Sequence, residues 1–496
     1  MKTYIHIILF FCFFTKASFL FSQEPVPYAI DQFRDDPIAA ALDSLHSLNL
    51  FEKGYAKIVY PKNAKYQFSA DSVPRYDESV YAARLAKIDA ASPFDLQYNS
   101  VVKGYIDMYA FRKRELVKRM MALSQLYFPL FEQQLDKYNL PLELKYLAIC
   151  ESALNPLAKS RVGATGLWQF MYPTGKMFGL KVSSYIDERS DPYKSTVAAC
   201  EYFKYLYGLF GDWQLVLAAY NGGPGTVNKA IRKSGGKKTY WEIRPFLPKE
   251  TQGYVPAFIA VNYIMNYTAE HNLNSAIPKK TFLDVDTIAV KKQISFEQIA
   301  AVLDIPADDI VFLNPTYKKR IIPFIEGEPS ILTLPASKMG AFVNNEEKIY
   351  NFINDSLISK NNLIIQPIAE EITKIHVIKS GEYLSTIAKK YGCTVAELKQ
   401  WNGITTSTVK PGKKLTIYVK KKHTTTNTNA IIKTDNHTGT NTTNQNGFKL
   451  YTVQKGDTLF KIAQQNKTTV DALKKLNGFG EKFSLLPGQK IKIAKL

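Results

Sequence analysis

Cysteine is scarce in this chain, 4 among 496 residues. That excludes a disulfide-framed fold, which needs several closely spaced pairs. Histidine is also sparse, with 6 in all, and none stands at ligand spacing from other donors. The sequence therefore calls for no metal and no other cofactor. After the N-terminus no apolar run reaches the length of a membrane span, which excludes a multi-spanning membrane protein. Acidic residues are outnumbered, 44 Asp plus Glu against 64 Lys plus Arg, for a formal charge of +20. Such an excess favours an anionic partner: nucleic acid, a membrane surface, or an acidic polymer such as cell-wall glycan. A lysine-rich surface that only keeps the chain soluble accounts for it as well. Core material is not lacking. Hydrophobic residues make up 46% and charged residues 22%, so the length is enough for about three folded domains.

The chain opens MKTYIHIILFFCFFTKASFLFSQEP. A lysine precedes the apolar run Ile5 to Phe14, and small or polar residues follow at Ser18 and Ser22. That is the layout of a secretory signal peptide over residues 1–22, with cleavage near Ser22 or Gln23. An uncleaved membrane anchor is the alternative, and Lys16 interrupts the run. Cys12 follows Phe11, where lipidation requires a small residue. Export to the periplasm or cell envelope is expected, with membrane association left open. Cys150, Cys200 and Cys393 remain, so at least one thiol is free. Cys150 and Cys200 lie in apolar helical patterns and read as small buried hydrophobes rather than as a bridge.

Residues 23–100 are mixed and carry no usable motif, although Asp36 is placed to cap a helix beginning at Pro37. Residues 101–272 are strongly helical by apolar spacing. Residues 281–336 read as a small mixed domain and 337–372 as a polar linker. The C-terminus holds an internal repeat, residues 373–420 and 448–495, separated by a Thr/Asn-rich segment over 421–447 that reads as a flexible tether. Gly381 matches Gly456, Leu384 matches Leu459, and Asn402-Gly403 match Asn477-Gly478. Each copy reads strand, helix, helix, strand. In the first, Leu384, Ile387, Ala388 and Tyr391 line one helical face, and Thr394 with Glu397 forms a capping box.

This pattern, with its GDTLxxIA and NG signatures, resembles the LysM domain. The resemblance implies a shallow groove for N-acetylglucosamine-containing glycans. In the second copy it lies at Gly456, Asp457, Thr458, Leu459 and Asn477. In the first it lies at Gly381, Glu382, Tyr383, Leu384 and Asn402, where Glu382 and Tyr383 replace the usual Asp and Thr. Residues 285–335 resemble a third, degenerate copy. Phe296, Ile299 and Leu303 suit its first helix and Asn314 its NG position; a structural role is expected.

The segment NLPLELKYLAICESALNPLAKS carries the chemistry. A helix is expected from Pro141, with Leu144, Leu147 and Ala148 on one stripe and Glu151 on the same side. Pro156 stops it shortly afterwards. Burial and the negative end of the helix dipole both disfavour the ionised carboxylate. Both raise its pKa, as a general acid near neutral pH requires. By helix geometry alone, a carboxylate that simply reaches solvent fits as well. The following segments are rich in aromatic and amide groups, which suit carbohydrate.

ESALNP at Glu151, GATGLWQFM at Gly163, AYNGG at Ala219 and ETQGYVP at Glu250 resemble, in this order, the four motifs of the lysozyme-like lytic transglycosylases of glycoside hydrolase family 23. The resemblance implies a multidomain α+β chain: an all-α lysozyme-like catalytic domain followed by small βααβ LysM domains. It makes Glu151 the catalytic acid and then base. It places Ser160, Gln169, Met171, Tyr220, Asn221 and Tyr254 along the substrate. No second acid stands beside Glu151 within the motifs. Asp187, Glu188 and Asp191 cluster in SYIDERSDPYKS, where Asp191 reads as a helix cap, and Glu250 reads as structural or binding. One carboxylate suffices if the substrate supplies the nucleophile, closing the muramoyl C6 hydroxyl onto C1 as a 1,6-anhydro end. The expected partner is peptidoglycan, and no nucleic-acid motif is present. A hydrolytic muramidase of goose type and a non-catalytic peptidoglycan-binding protein are the alternatives.

Overall fold

The computed structural model describes Asp36, residues 55–58, 65–324, 327–352, 371–404, 406 and 408–420, then 442–443, 448–453 and parts of 459–479 and 489–495. The expected signal peptide and the helix after Asp36 lie outside the described residues. Described residues up to 421 form one compact unit, and those of 422–496 form a second.

One hydrophobic core fills the region from Tyr81 to Leu273, into which Phe312 and Leu313 also reach. Its helices include α1 (Glu78–Asp89), α2 (Ser100–Asp107), α3 (Arg114–Lys137), α4 (Leu147–Ser152), α5 (Tyr172–Met177), α6 (Pro192–Phe210), α7 (Trp213–Gly222), α8 (Pro224–Lys233) and α9 (Lys249–Asn266), with a single helical turn at Tyr240–Ile243. Helix α9 runs through the middle, so Val255 to Ile264 are buried on every face. Trp168 is fully buried and packs on Phe131 and Phe203, with ring centroids 5.0 and 5.8 Å away. Asp191 caps α6 as expected, accepting from the backbone N–H groups of Tyr193 and Lys194. The domain starts earlier than residue 101. Tyr81, Leu85, Phe94 and Leu96 belong to this same core. Two strands also frame the domain: β1 (Tyr55–Ile58) pairs antiparallel with β2 (Ala276–Pro278).

The degenerate copy folds as β3 (Val285–Val290), α10 (Phe296–Leu303), α11 (Ala307–Leu313) and β4 (Ser330–Pro335), with β3 and β4 antiparallel. Phe296, Ile299 and Leu303 are buried as the spacing predicts. Its boundary falls later than 336. Helices α12 (Ala336–Asn344) and α13 (Glu346–Asn351) follow, and Phe342 and Ile349 are fully buried in its core. The start of the expected polar linker is thus part of this domain. Two apolar residues in a polar helical stretch are a weak signal until a core is there to receive them.

The first LysM copy has β5 (Glu371–Val377), α14 (Leu384–Tyr391), α15 (Val395–Asn402) and β6 (Lys414–Lys420), with the Thr394–Glu397 capping box in place. The strands pair antiparallel along their full length. Residues 353–370 of the expected linker lie outside the described residues, and the module itself packs on the catalytic region. Tyr172 of α5 is buried in its core beside Leu398, Trp401 and Tyr418. The second unit is described by β7 (Phe448–Thr452), α16 (Val470–Asn477) and β8 (Lys490–Lys495), around Tyr451, Ile462, Leu473 and Ile491. Thr442 and Thr443, inside the segment expected to be a pure tether, add a short strand against β7.

Candidate active site

Glu151 sits on the six-residue helix α4, which follows a 3-10 turn over Leu142–Tyr146. The helix ends sooner than Pro156 requires. Ala153 and Leu154 both take left-handed backbone conformations, at φ 49° and 62°. Side chains disfavour that region, so two in a row mark strain held in place by packing. Buried Ser152 fixes α4 to the next motif, donating to the Leu167 carbonyl at 2.9 Å. Glu151 is therefore placed by its neighbours rather than by a long helix.

Its electrostatics follow from burial. Desolvation pushes the Glu151 carboxyl up from 4.5 to about 8. The Tyr254 hydroxyl donates to Oε1 and pulls the other way, and the negative charge of Glu250 adds to the rise. Tyr254 is buried and its own pKa is raised well above 10, so it stays protonated and remains a donor. Among the described residues no hydrogen bond is formed to Oε2. The expected upward shift is present, and burial is its main cause; a helix this short contributes little field.

Residues 158–171 form the facing loop. It is folded by bridges between Lys159, Thr165 and Phe170. Gln169, at φ 47°, donates through Nε2 to the carbonyls of Gly166 and Ala158 at 2.9 and 3.1 Å. The Ser160 hydroxyl accepts from the Ala164 N–H at 3.0 Å. Met171, half-buried, leads into α5. Arg189 holds the loop from beneath. Its guanidinium is fully buried and forms a two-point pair with Asp187, at 2.9 and 2.8 Å. The same group donates to the carbonyls of Gly163 and Phe170 at 3.0 and 3.2 Å, the two ends of the motif. Gly166 leaves no room there: a Cβ would lie 1.8 Å from the Arg189 carbonyl oxygen. Arg189 was not among the expected site residues. Its signal was one arginine inside an acidic cluster, which reads as a surface charge until its burial is known.

The AYNGG motif closes the other side. Tyr220 stacks on Phe203 and donates to the Trp168 carbonyl at 2.7 Å. Asn221 donates to Glu250 Oε1 at 3.1 Å and accepts from the Thr251 hydroxyl at 2.8 Å. Glu250 is exposed and tied to Asn221, as a binding or structural role implies. Glu151, Tyr254 and Glu250 are thus electrostatically joined, and Tyr220 reaches the same loop that carries Gln169. Cys150 and Cys200 are buried free thiols whose pKa values are pushed up by burial, so neither is a nucleophile.

The groove residues of the LysM copies divide. Asn402 donates to the Leu398 and Thr416 carbonyls and accepts from the Thr416 N–H. Asn477 repeats this with Leu473 and Lys492, and Asn314 with Ile310 and Thr333. In all three copies the amide pins the second helix to the closing strand. It shapes the turn instead of offering itself to a ligand. Glu382 is bound by His376 and by the Lys379 N–H, both at 2.8 Å. Leu384 is buried in the module core, and Gly381 makes the turn at φ 83°. Leu459 is partly buried against the core of the second copy. Gly456, Asp457 and Thr458 lie outside the described residues.

Comparison with known proteins gives three family matches. The transglycosylase SLT domain matches residues 129–243. The LysM-like domain of lytic transglycosylase MltD matches 284–351. The LysM domain matches 376–417 and 451–494. Membrane-bound lytic murein transglycosylase D of Escherichia coli strain K12 is 29% identical over 369 residues, covering 72% of this chain and 74% of that protein. N-acetylmuramoyl-L-alanine amidase sle1 of Staphylococcus aureus strain USA300 is 36% identical over 118 residues, 24% of this chain and 33% of that protein. Among solved structures, the 70 kDa soluble lytic transglycosylase of Escherichia coli shares 25% identity over 49% of this chain and 46% of that one. Its TM-score of 0.27 is too low to carry weight.

Proposed function

We propose that the chain is a LysM-bearing lytic transglycosylase that acts on and binds peptidoglycan, with Glu151 as its acid and then its base. The observation that carries the assignment is a buried carboxyl that accepts from the Tyr254 hydroxyl and whose pKa burial pushes up to about 8. At neutral pH it is protonated and gives its proton to the bridging oxygen between N-acetylmuramic acid and N-acetylglucosamine. The C1–O bond breaks, and the muramoyl acetamido oxygen covers the positive charge at C1. Glu151, now ionised and stabilised by Tyr254, takes the C6 hydroxyl proton. O6 bonds to C1, the acetamido oxygen leaves, and Glu151 is protonated again. No water is consumed, and one carboxylate suffices where most glycosidases use two.

Ser160, Gln169, Met171, Tyr220 and Asn221 form the sugar-facing wall in this reading. The Gln169 and Asn221 amides, bonded within the protein, set the shape of that wall. The chain also carries the sequence layout of an exported protein, which fits a periplasmic or envelope address for such a substrate. No described helix is long and apolar enough to cross a membrane.

Glu151→Gln keeps size and hydrogen bonding but cannot give a proton. Cleavage of purified cell wall should fall by about a thousandfold or more, within the range of a lost general acid plus base, while the fold and glycan binding persist. Activity retained in this variant would remove Glu151 from its role. Mass spectrometry of the products separates the chemistries: 1,6-anhydro ends are expected, and reducing muramic acid ends would make the enzyme a hydrolase.

A further inference from the structure

We propose that the first LysM copy is a fixed far wall of the catalytic cleft, so that one glycan strand occupies both its groove and the Glu151 site. The inference rests on the function proposed above. It starts from how the module is seated. Tyr172, which directly follows Met171, is buried inside the LysM core, 4.7 Å from the Tyr418 ring and 6.2 Å from Trp401. The Lys176 ammonium lies over Tyr418 at 5.8 Å. Gln400 packs on Gly163, and Gly403 faces Met171 so closely that a Cβ would lie 3.3 Å from the Met171 methyl. A buried aromatic shared by two domains fixes their relation, unlike a tether.

The place of contact matters more than its strength. Gly403 belongs to the Asn-Gly turn, one lip of the LysM groove. Met171 closes the loop that carries Gln169 and is pinned to Glu151's helix through Leu167 and Ser152. The groove lip is therefore in direct contact with the proposed cleft wall. On the opposite lip Gly381 and Tyr383 are exposed, Tyr383 at 68%. Asn402 and Glu382 already have partners within the module. That leaves the Tyr383 ring as the side chain on this lip suited to a sugar face. The ligand class is a polymeric glycan bearing acetamido groups, long enough to pass from the cleft over the Met171–Gly403 seam to Tyr383.

Tyr383→Ala in the full chain tests this, and its exposure makes misfolding easy to exclude by circular dichroism. Peptide-free glycan strands from peptidoglycan, fractionated into long and short pools, are the substrates. The ratio of kcat/KM for long over short strands should fall roughly three- to tenfold, the span of one lost aromatic contact. The same ratio should fall for binding when Tyr383→Ala is placed on Glu151→Gln. An unchanged ratio in both measurements, or an equal loss on long and short strands, overturns the shared path. Failure of the parent enzyme to cut either pool would count against the Glu151 chemistry instead, and the binding ratio would still decide the path.

Discussion

Burial raises the Glu151 carboxyl to about 8 while Tyr254 lowers it, so the protonated form is the resting form at neutral pH. Catalysis that begins with this proton should decline as pH rises through about 8, measurable as an alkaline limb in kcat/KM. Tyr254→Phe removes the donor that favours the anion. The limb should move to higher pH, and kcat should drop roughly tenfold, the loss of one hydrogen bond to a charged group. A limb that stays put would detach Tyr254 from Glu151. Stability changes with the same proton. A carboxyl whose pKa rises on folding places no penalty on the fold below its ordinary 4.5, and the penalty grows as pH climbs from there through about 8. Glu151→Gln should therefore melt higher than the parent at alkaline pH and converge with it near pH 4. The sequence located this residue by its stripe and its motif. It did not locate the left-handed pair Ala153-Leu154, because nothing in their side chains requires that backbone; the surrounding packing imposes it.

At the scale of elements, the loop from Gly163 to Met171 is held from three sides. Arg189 holds its carbonyls, Ser152 holds Leu167, and Tyr220 holds Trp168. Such fixing is how a site keeps substrate contacts without reorganising at each turnover. Gly166→Ala would drive a methyl into the Arg189 backbone and strain a φ of 90°. A loss of about 3 kcal/mol or more is expected in urea unfolding, as for overpacking joined to backbone strain. Arg189→Ala leaves buried Asp187 without its charged partner, and about 3–5 kcal/mol should be lost. Arg189→Lys should restore part of the stability but not the two-point pairing, so activity should recover less than the fold does. The four motifs were legible as motifs. Their common support was not, because Arg189 is close to none of them except in space.

Across the whole molecule, the described residues up to 421 form one compact unit. The catalytic region, the MltD-type LysM-like domain and the first LysM copy share packed seams: Thr316 accepts from the Asp187 N–H at 2.9 Å, and Tyr172 fills the LysM core. Tyr172→Ala should cost about 3–5 kcal/mol of packing. Calorimetry should then show the first LysM copy melting apart from the catalytic domain; a single unshifted transition would mean the seam is weak. What the sequence determined by itself was local: helix periods, capping boxes, three LysM-like repeats, four family motifs and the proposed acid. These depend on neighbours a few residues away or on a pattern repeated along the chain. The tertiary structure decided the rest. It set the upward shift of Glu151, the inward use of the three LysM asparagines, the clamp from Arg189 and the seating of the first LysM copy against Tyr172 and the Gly163–Met171 loop. Each of these depends on desolvation or on contact between distant segments, and neither is written in the order of residues.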